Sequence, residues 1–393
     1  MNKIFLQINC SPEDEFFSSK RIAIVTDELN QWGGGELVLQ EILKIFPKAD
    51  LFTPFISSEI ESRLVDKNYF SGKITQTFLK NKFIRALDKF LMTIYPFACE
   101  TFDLRGYEIV LSVTSRFAKN IILPENAVHV CYIHSPPRFL WSDWKRYLEE
   151  IKGVKKFFVP LAPLFLPKIR EIDYLSSRRV DLFIGNSKYI KARVEKYYKH
   201  ENVDFLYPSI DSSKFLFSDK KENFYLAGGR HVSYKKFDLI INAFNQLELP
   251  LKIYGVGEET EILKRMNRSR NTEFIGKISD EERNKLFANA KAFIFPQIED
   301  FGIVPLEAQV SGTPVVAFRK GGSLETVVEN KTGIFFDDQS SVSLADAIRR
   351  FEKIEKWDYE KIREHALKFD TKFFVNGLKS KIFHFIKFKK FSL

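Results

Sequence analysis

Cysteine is nearly absent from this chain: Cys10, Cys99 and Cys131 are the whole complement, and no two of them stand at a paired spacing. That scarcity excludes a disulfide framework and a thiolate metal site, and it fits a reducing cytoplasm. Also missing is any run of about 18 uninterrupted apolar residues, the length a membrane-crossing helix requires. Glu13, Asp14 and Glu15 place charge where a signal peptide would need an apolar stretch. The expectation is a cytoplasmic protein that is neither exported nor membrane-spanning. The chain has no Asp-x-Asp triplet and no His or Cys cluster at metal spacing. A bound metal therefore has no support in the sequence, and no cofactor is expected.

What is present is enough apolar material for more than one core. The 393 residues are 45% hydrophobic and 28% charged, a length beyond the usual single core, so two domains are expected. The 61 Lys and Arg outnumber the 51 Asp and Glu, leaving a formal charge of +10. Such a balance favours anionic partners: nucleotides, phospholipid headgroups or nucleic acid. Charge alone does not choose among them.

The second half alternates short β-branched or aromatic runs with amphipathic stretches, the pattern of strand–helix–strand units around a parallel sheet. Strands are expected at Phe224 to Gly228, Leu251 to Gly255, Thr272 to Gly276, Ala292 to Pro296 and Pro314 to Phe318. Helices fall between them at Tyr234 to Leu247, Glu259 to Arg268 and Asp280 to Asn289, with Ser279 and Glu282 forming a capping box for the last. The first half starts alike, with a strand at Arg21 to Thr26, a glycine loop at Gly33 to Gly35 and a helix through Phe46. Further strands are expected at Glu108 to Val113, Val128 to Ile133 and Asp181 to Gly185. Proline and clustered charge at Tyr207-Pro208-Ser209 and Ser218 to Glu222 place the hinge there. The expected domains are 1–208, 209–370 and a C-terminal helix or basic tail, 371–393, packing back on the first. From Lys379 on, that tail alternates Lys with Phe and Ile, which reads either as a packed terminal helix or as an anchor for anionic lipid.

A nucleotide diphosphate must be met by cations, backbone N–H groups or a metal. Arg230 and Lys235 follow the strand Tyr225-Leu-Ala-Gly-Gly, and the lysine is expected to open the next helix. Both cations would then project from the carboxyl edge of a parallel sheet, where doubly wound folds bind ligands. Taken alone, an Arg-x4-Lys pair is more often a solvated basic loop. After the fourth strand comes Glu299-Asp300-Phe301-Gly302-Ile303-Val304-Pro305-Leu306-Glu307. Its glycine permits close backbone approach, and the helix starting near Ile303 aims free N–H groups at the same crevice. Glu299 and Glu307 can each accept from ligand hydroxyls, although helix-cap electrostatics would explain such a pair equally well. A dinucleotide fingerprint is not met at Gly33 to Val38 or at Gly255-Val-Gly257, where the third glycine is missing.

Together, Arg230-x4-Lys235 and Glu299-x7-Glu307 resemble the C-terminal half of family 4 retaining glycosyltransferases of the GT-B fold. Ser311-Gly-Thr-Pro-Val-Val-Ala317, Gly321-Gly322-Ser323-x-Glu325 and Asn330-x-Thr332-Gly333 are similar to further segments of that family. In the first half, Cys131-Tyr-Ile-His134-Ser-Pro-Pro-Arg138 resembles the strand end bearing the family's active-site histidine. Arg178-Arg-Val-Asp181, Gly185-Asn-Ser187 and Tyr207-Pro208 resemble bacterial mannosyltransferases that build O-antigen and related polysaccharides.

The resemblance implies an α/β chain of two Rossmann-like doubly wound domains facing each other across a cleft, acting as a retaining, metal-independent glycosyltransferase. Catalytic roles would fall to His134, Arg230, Lys235 and Glu299: the two cations on the leaving diphosphate, Glu299 on sugar hydroxyls, His134 on the sugar or the incoming hydroxyl. Substrate would also be held by Gly34, Gly35, Ile278, the backbone at Phe301, Gly302 and Ile303, and Glu307 on the ribose. The implied donor is GDP-mannose, with a UDP-sugar as alternative. The acceptor would be a saccharide or lipid-linked saccharide of lipopolysaccharide or polysaccharide synthesis, met at the inner face of the cytoplasmic membrane. Peripheral contact with an anionic membrane surface goes with that reading, and nucleic acid does not. Its rivals are a non-enzymatic polyanion or membrane-surface binder, and on the same scaffold an epimerase, which usually places acidic residues near the anomeric carbon, or a phosphorylase, whose pyridoxal lysine motif is not found.

Overall fold

The computed structural model describes residues 11–65, 70–84, 94–149, 151, 159–160 and 162–389. Compact units divide between Leu206 and Tyr207 and again between Phe374 and Val375, so the last part of the chain returns to the first unit. In that unit, β1 (Ile22–Thr26), β2 (Asp50–Thr53), β3 (Ile74–Gln76), β4 (Ile109–Thr114), β5 (Val128–Ile133), β6 (Leu182–Gly185) and β7 (Val203–Phe205) form one sheet. Their order is β3-β2-β1-β4-β5-β6-β7, and neighbouring strands are parallel. The second unit has β8 (Tyr225–Gly228), β9 (Leu251–Tyr254), β10 (Thr272–Gly276), β11 (Ala292–Phe295), β12 (Val315–Phe318) and β13 (Gly333–Phe336). Its sheet is likewise parallel, in the order β10-β9-β8-β11-β12-β13.

Inner strands are buried along their whole length, as β1 and β4 are in one sheet and β11 and β12 in the other, because helices cover both faces of a parallel sheet. In the second unit two clusters occupy the two sides, one around Ile240, Phe244 and Ile348, the other around Leu226, Phe287 and Phe295. Strand order reverses between β1 and β4 in one sheet and between β8 and β11 in the other. A crevice opens at such a switch point outside the carboxyl ends of the strands, since the flanking connections leave in opposite directions.

Several expectations are amended. Lys235 does not open a helix: Ser233–Lys235 is a 3-10 turn, Lys236 takes a left-handed φ of 58°, and the helix runs Phe237–Leu247. A left-handed non-glycine residue costs about 1 kcal/mol or more, and here it separates the lysine from the helix axis. Gly34 and Gly35 lie in the first turn of the helix Gly34–Ile45, with Gly33 as its N-cap, rather than in a loop. Strands β2, β3, β7 and β13 were not expected. The first three span only three or four residues and β3 and β7 are partly exposed edges, too short to register as a period. The capping box of Ser279 and Glu282 is present on Asp280–Asn289.

The final helix, Thr371–Lys389, turns Leu378, Ile382, Phe383 and Ile386 inward. Lys379 pairs with Asp14 at 2.5 Å, and Lys381 pairs with Asp204. Through its described residues the tail is therefore a packed helix, its lysines partly committed to carboxylates; residues 390–393 lie outside the described residues. Among the described residues, no helix is long and apolar enough to cross a membrane.

His129 on β5 is fully buried, with Nε2 2.8 Å from the Ser112 hydroxyl and Nδ1 unpartnered. Burial lowers its pKa to about 4. The unfolded chain therefore takes up this proton near pH 6.5 and the folded one only near pH 4, so stability is lost as pH falls across that window. At 1.36 kcal/mol per pKa unit the loss is about 3 kcal/mol. Urea unfolding at pH 7 and pH 4 should show the wild type losing about that much more than His129→Gln; equal losses would reject the assignment.

Candidate functional site

The second unit gathers most of the charged residues singled out from the sequence. Parallel pairing sets β8 beside β11, so the loop after Gly228 and the loop after Phe295 emerge as neighbours. Lys235 leaves the first and Glu299 the second, and their side chains form an ion pair. The Gln297 side-chain amide donates to the same Glu299 oxygen at 3.2 Å. Burial pushes the Lys235 pKa down, but the adjacent Glu299 carboxylate outweighs it and the net shift is upward. The lysine is held charged in a largely desolvated place, where its field is worth far more than in water. Arg230 is exposed and near enough for its charge to oppose the protonation of Lys235. Two cations thus share one edge of the sheet, one fixed by a carboxylate and one open to solvent.

His231, between them in sequence, has a structural task that sequence reasoning missed. It is buried, with Nδ1 3.0 Å from the Thr260 hydroxyl and its backbone N–H donating to Val256 at 3.2 Å. These bonds fasten the cation-bearing loop to the loop after β9.

Glu299 is positioned from the far side by Gly321 and Gly322. A Cβ on Gly321 would lie 2.5 Å from the Glu299 carbonyl oxygen, and one on Gly322 2.1 Å from that of Phe301. The Gly322 N–H donates to the Glu299 carbonyl at 2.9 Å. Any side chain at this pair would push the acidic loop away. Phe301 is buried and stacked on Tyr207, with ring centroids 5.4 Å apart, so only its backbone is available to a ligand. Gly302 then turns through a positive φ of 84° into the helix Ile303–Val310.

Glu307 lies on that helix, buried, with Arg283 at 3.9 Å. Desolvation raises its pKa, while Arg283 and Lys235 act against the shift. Lys235, Glu299 and Glu307 therefore belong to one electrostatic neighbourhood, and Arg283 is a member that the sequence left unsignalled. Ile278, after β10, packs on the apolar cluster beneath. Among the described residues no three His, Cys, Asp or Glu side chains come together in a way that could hold a metal ion.

The first unit has its own pocket at the β1–β4 switch point, with a volume of about 110 Å³. Asp27, Glu28, Gly35, Glu36, Arg116 and His134 are among its lining residues. His134 continues the ladder past β5, its N–H donating to the Thr114 carbonyl at 2.8 Å. Its ring lies over Gly35, where a Cβ would be 3.6 Å from Nε2. Gly35 and His134 are thus brought together, whereas Gly34 is exposed and does not line the pocket.

Sequence reasoning did not single out Asp27, Glu28 and Arg116, although an acidic pair directly after a buried strand was a usable signal. Beneath them Lys119 and Asp173 form a fully buried ion pair. Asp173 also accepts from Trp141 Nε1 at 2.7 Å and the Tyr198 hydroxyl at 2.8 Å, so the charge is well satisfied. Lys119 donates to the Arg116 carbonyl at 3.1 Å and anchors the loop after β4.

The family model described as "Glycosyl transferases group 1" matches residues 209–369. The alpha-1,3/1,6-mannosyltransferase ALG2 of Mus musculus is 24% identical over 216 residues, covering 46% of this chain and 52% of that protein. The O-antigen chain mannosyltransferase RfbU of Salmonella typhimurium is 23% identical over 235 residues, covering 54% and 66%. The chain thus spans about half to two thirds of the length of these curated relatives. The crystal structure of Anabaena HepE in complex with UDP superposes with a TM-score of 0.65 at 17% identity, over 93% of this chain and 99% of that one. Residues 209–369 are therefore a glycosyl transferases group 1 domain, and the chain has the fold of two Rossmann-like domains (GT-B) seen in that solved structure.

Proposed function

We propose that this protein transfers a hexose, mannose from GDP-mannose, to a saccharide or lipid-linked saccharide acceptor, with retention and without a metal. The observation that carries the reading is the meeting of Lys235 and Glu299, with Arg230 beside them, at the β8–β11 switch point. A diphosphate leaving group gains negative charge as the sugar–oxygen bond breaks, so cations already in place bind it more tightly in the transition state than in the ground state. Lys235 and Arg230 supply that charge. Glu299 holds Lys235 until the diphosphate competes for it, and the carboxylate is then available to sugar hydroxyls. Backbone N–H groups at Phe301, Gly302 and Ile303 approach the sugar, Glu307 takes the ribose, and the backbone around Ile278 lies where the base is read.

In the first unit, His134 over Gly35 orients the sugar or the incoming hydroxyl. No cofactor enters this scheme, since the nucleotide sugar is itself the substrate. The names of the mannosyltransferase relatives support mannose, and the UDP complex of Anabaena HepE supports the alternative of a UDP-sugar. A role in lipopolysaccharide or polysaccharide assembly at the cytoplasmic membrane face follows from the likeness to the O-antigen enzyme.

Thermal melting with GDP-mannose, GDP, UDP-glucose and UDP should show a rise with the guanine pair, because a ligand bound only by the native state raises the melting point. A rise with the uracil pair alone would reassign the donor, and no rise with any nucleotide would reject the reading. Lys235→Ala and Glu299→Ala should each lower kcat by about 100-fold or more, the scale for losing a transition-state contact. Near-normal turnover in a folded variant would remove that residue from the site. Excess chelator should leave the rate unchanged; strict dependence on an added divalent ion would overturn the proposed metal independence.

A further inference from the structure

Asp27 and Glu28 are adjacent carboxylates in opposite circumstances. Asp27 is saturated: it accepts from the Thr114 hydroxyl at 2.9 Å and from the backbone N–H groups of Ser115 at 2.7 Å and of Arg116, Phe117 and Ala118 at 3.0 Å each. Its work is to shape the loop after β4, and it has little capacity left for a ligand. Glu28 has one oxygen on Arg116, and its own backbone N–H and Tyr95 add hydrogen bonds to the carboxyl. Its side chain is 10% exposed, and its other oxygen, Oε2, is buried with no hydrogen-bond partner. A desolvated acceptor left unmatched destabilises the site, and a donor group entering the pocket would relieve that.

The charge around Glu28 narrows what that donor can be. Among the described lining residues, Asp27, Glu28 and Glu36 face one guanidinium, that of Arg116, which is already committed to Glu28. The helix Gly34–Ile45 begins here, and a bare helix start would welcome a phosphate. Glu36 occupies it instead, its carboxyl hydrogen-bonded to the Gly33 backbone. A phosphate would meet three carboxylates, whereas a hydroxyl would find an open acceptor.

We infer that Glu28 is the residue that reads the acceptor: its free oxygen receives a hydroxyl of an uncharged sugar, and the pocket excludes phosphorylated ones. This rests on the glycosyl-transfer reading above and adds to it the chemical class of acceptor and the residue that selects it. Discrimination comes from both terms, a hydrogen bond that only a hydroxyl donor completes and a like-charge penalty against the wrong ligand.

Saturation-transfer NMR tests this with a panel of simple sugars. The probes are an equimolar set of methyl glycosides of mannose, glucose, galactose and N-acetylglucosamine, and the 6-phosphates of the same sugars, each with GDP or UDP present at saturation. At least one neutral glycoside should receive saturation, and its 6-phosphate should bind at least tenfold more weakly. Glu28→Gln, with unchanged melting temperature, should weaken the neutral glycoside by about tenfold or more while nucleotide affinity stays within twofold. Binding of phosphates as tight as that of neutral sugars, binding of no neutral sugar, or wild-type affinity in the Gln variant would each overturn the assignment. The comparison of neutral and phosphorylated probes on the wild type decides the matter even if the variant misfolds. Absence of nucleotide binding would instead strike at the glycosyltransferase reading itself.

Discussion

Parallel pairing of β8 with β11 is the constraint on which the candidate site of the second unit depends. Lys235 and Glu299 lie 64 residues apart, and nothing local brings them together. They meet because the strand order reverses between their two strands, which sends the following helices to opposite faces and leaves both loops at one edge. Formation of the ion pair then settles the protonation of the lysine, since burial alone would pull it toward the neutral form and the neighbouring carboxylate prevents this. The glycines at 321 and 322 complete the arrangement by letting the next loop press against the acidic one.

The same construction recurs in the first unit with a different chemical outcome. There the switch point falls between β1 and β4, and the loops that emerge carry more carboxylates than cations. Asp27 spends its hydrogen-bonding capacity on backbone N–H groups, and Lys119, tied to the buried Asp173, fastens the loop from below. One topology thus yields a cation-bearing edge, proposed above for a diphosphate, and an acid-lined pocket, proposed above for hydroxyls. Fold does not decide between those uses; the residues grafted on the loops do.

Much of the fold was legible because its signals are local. The buried strands from Tyr225 to Phe318 announce themselves as short apolar runs between amphipathic stretches, and Ser279 with Glu282 marks a helix start by spacing alone. Strands such as Ile74–Gln76 stayed hidden because three half-exposed residues carry no period. The helical pattern around Lys235 misleads for a related reason. The left-handed turn at Lys236 breaks the helix before Phe237, and such a pattern of side chains does not encode it.

Of the candidate site, the sequence by itself determined the residue types and the elements that carry them: cations after the first strand of the second half, acids and a glycine after the fourth, a histidine at the end of a buried strand. It also carried the likeness to a sugar-transferring family. Only the tertiary structure decided that Lys235 pairs with Glu299, that Phe301 offers its backbone alone, and that Asp27 is satisfied while its neighbour Glu28 is not. Those outcomes depend on which loops become neighbours and how deeply each side chain is desolvated, and neither quantity is written in the spacing of residues along one chain.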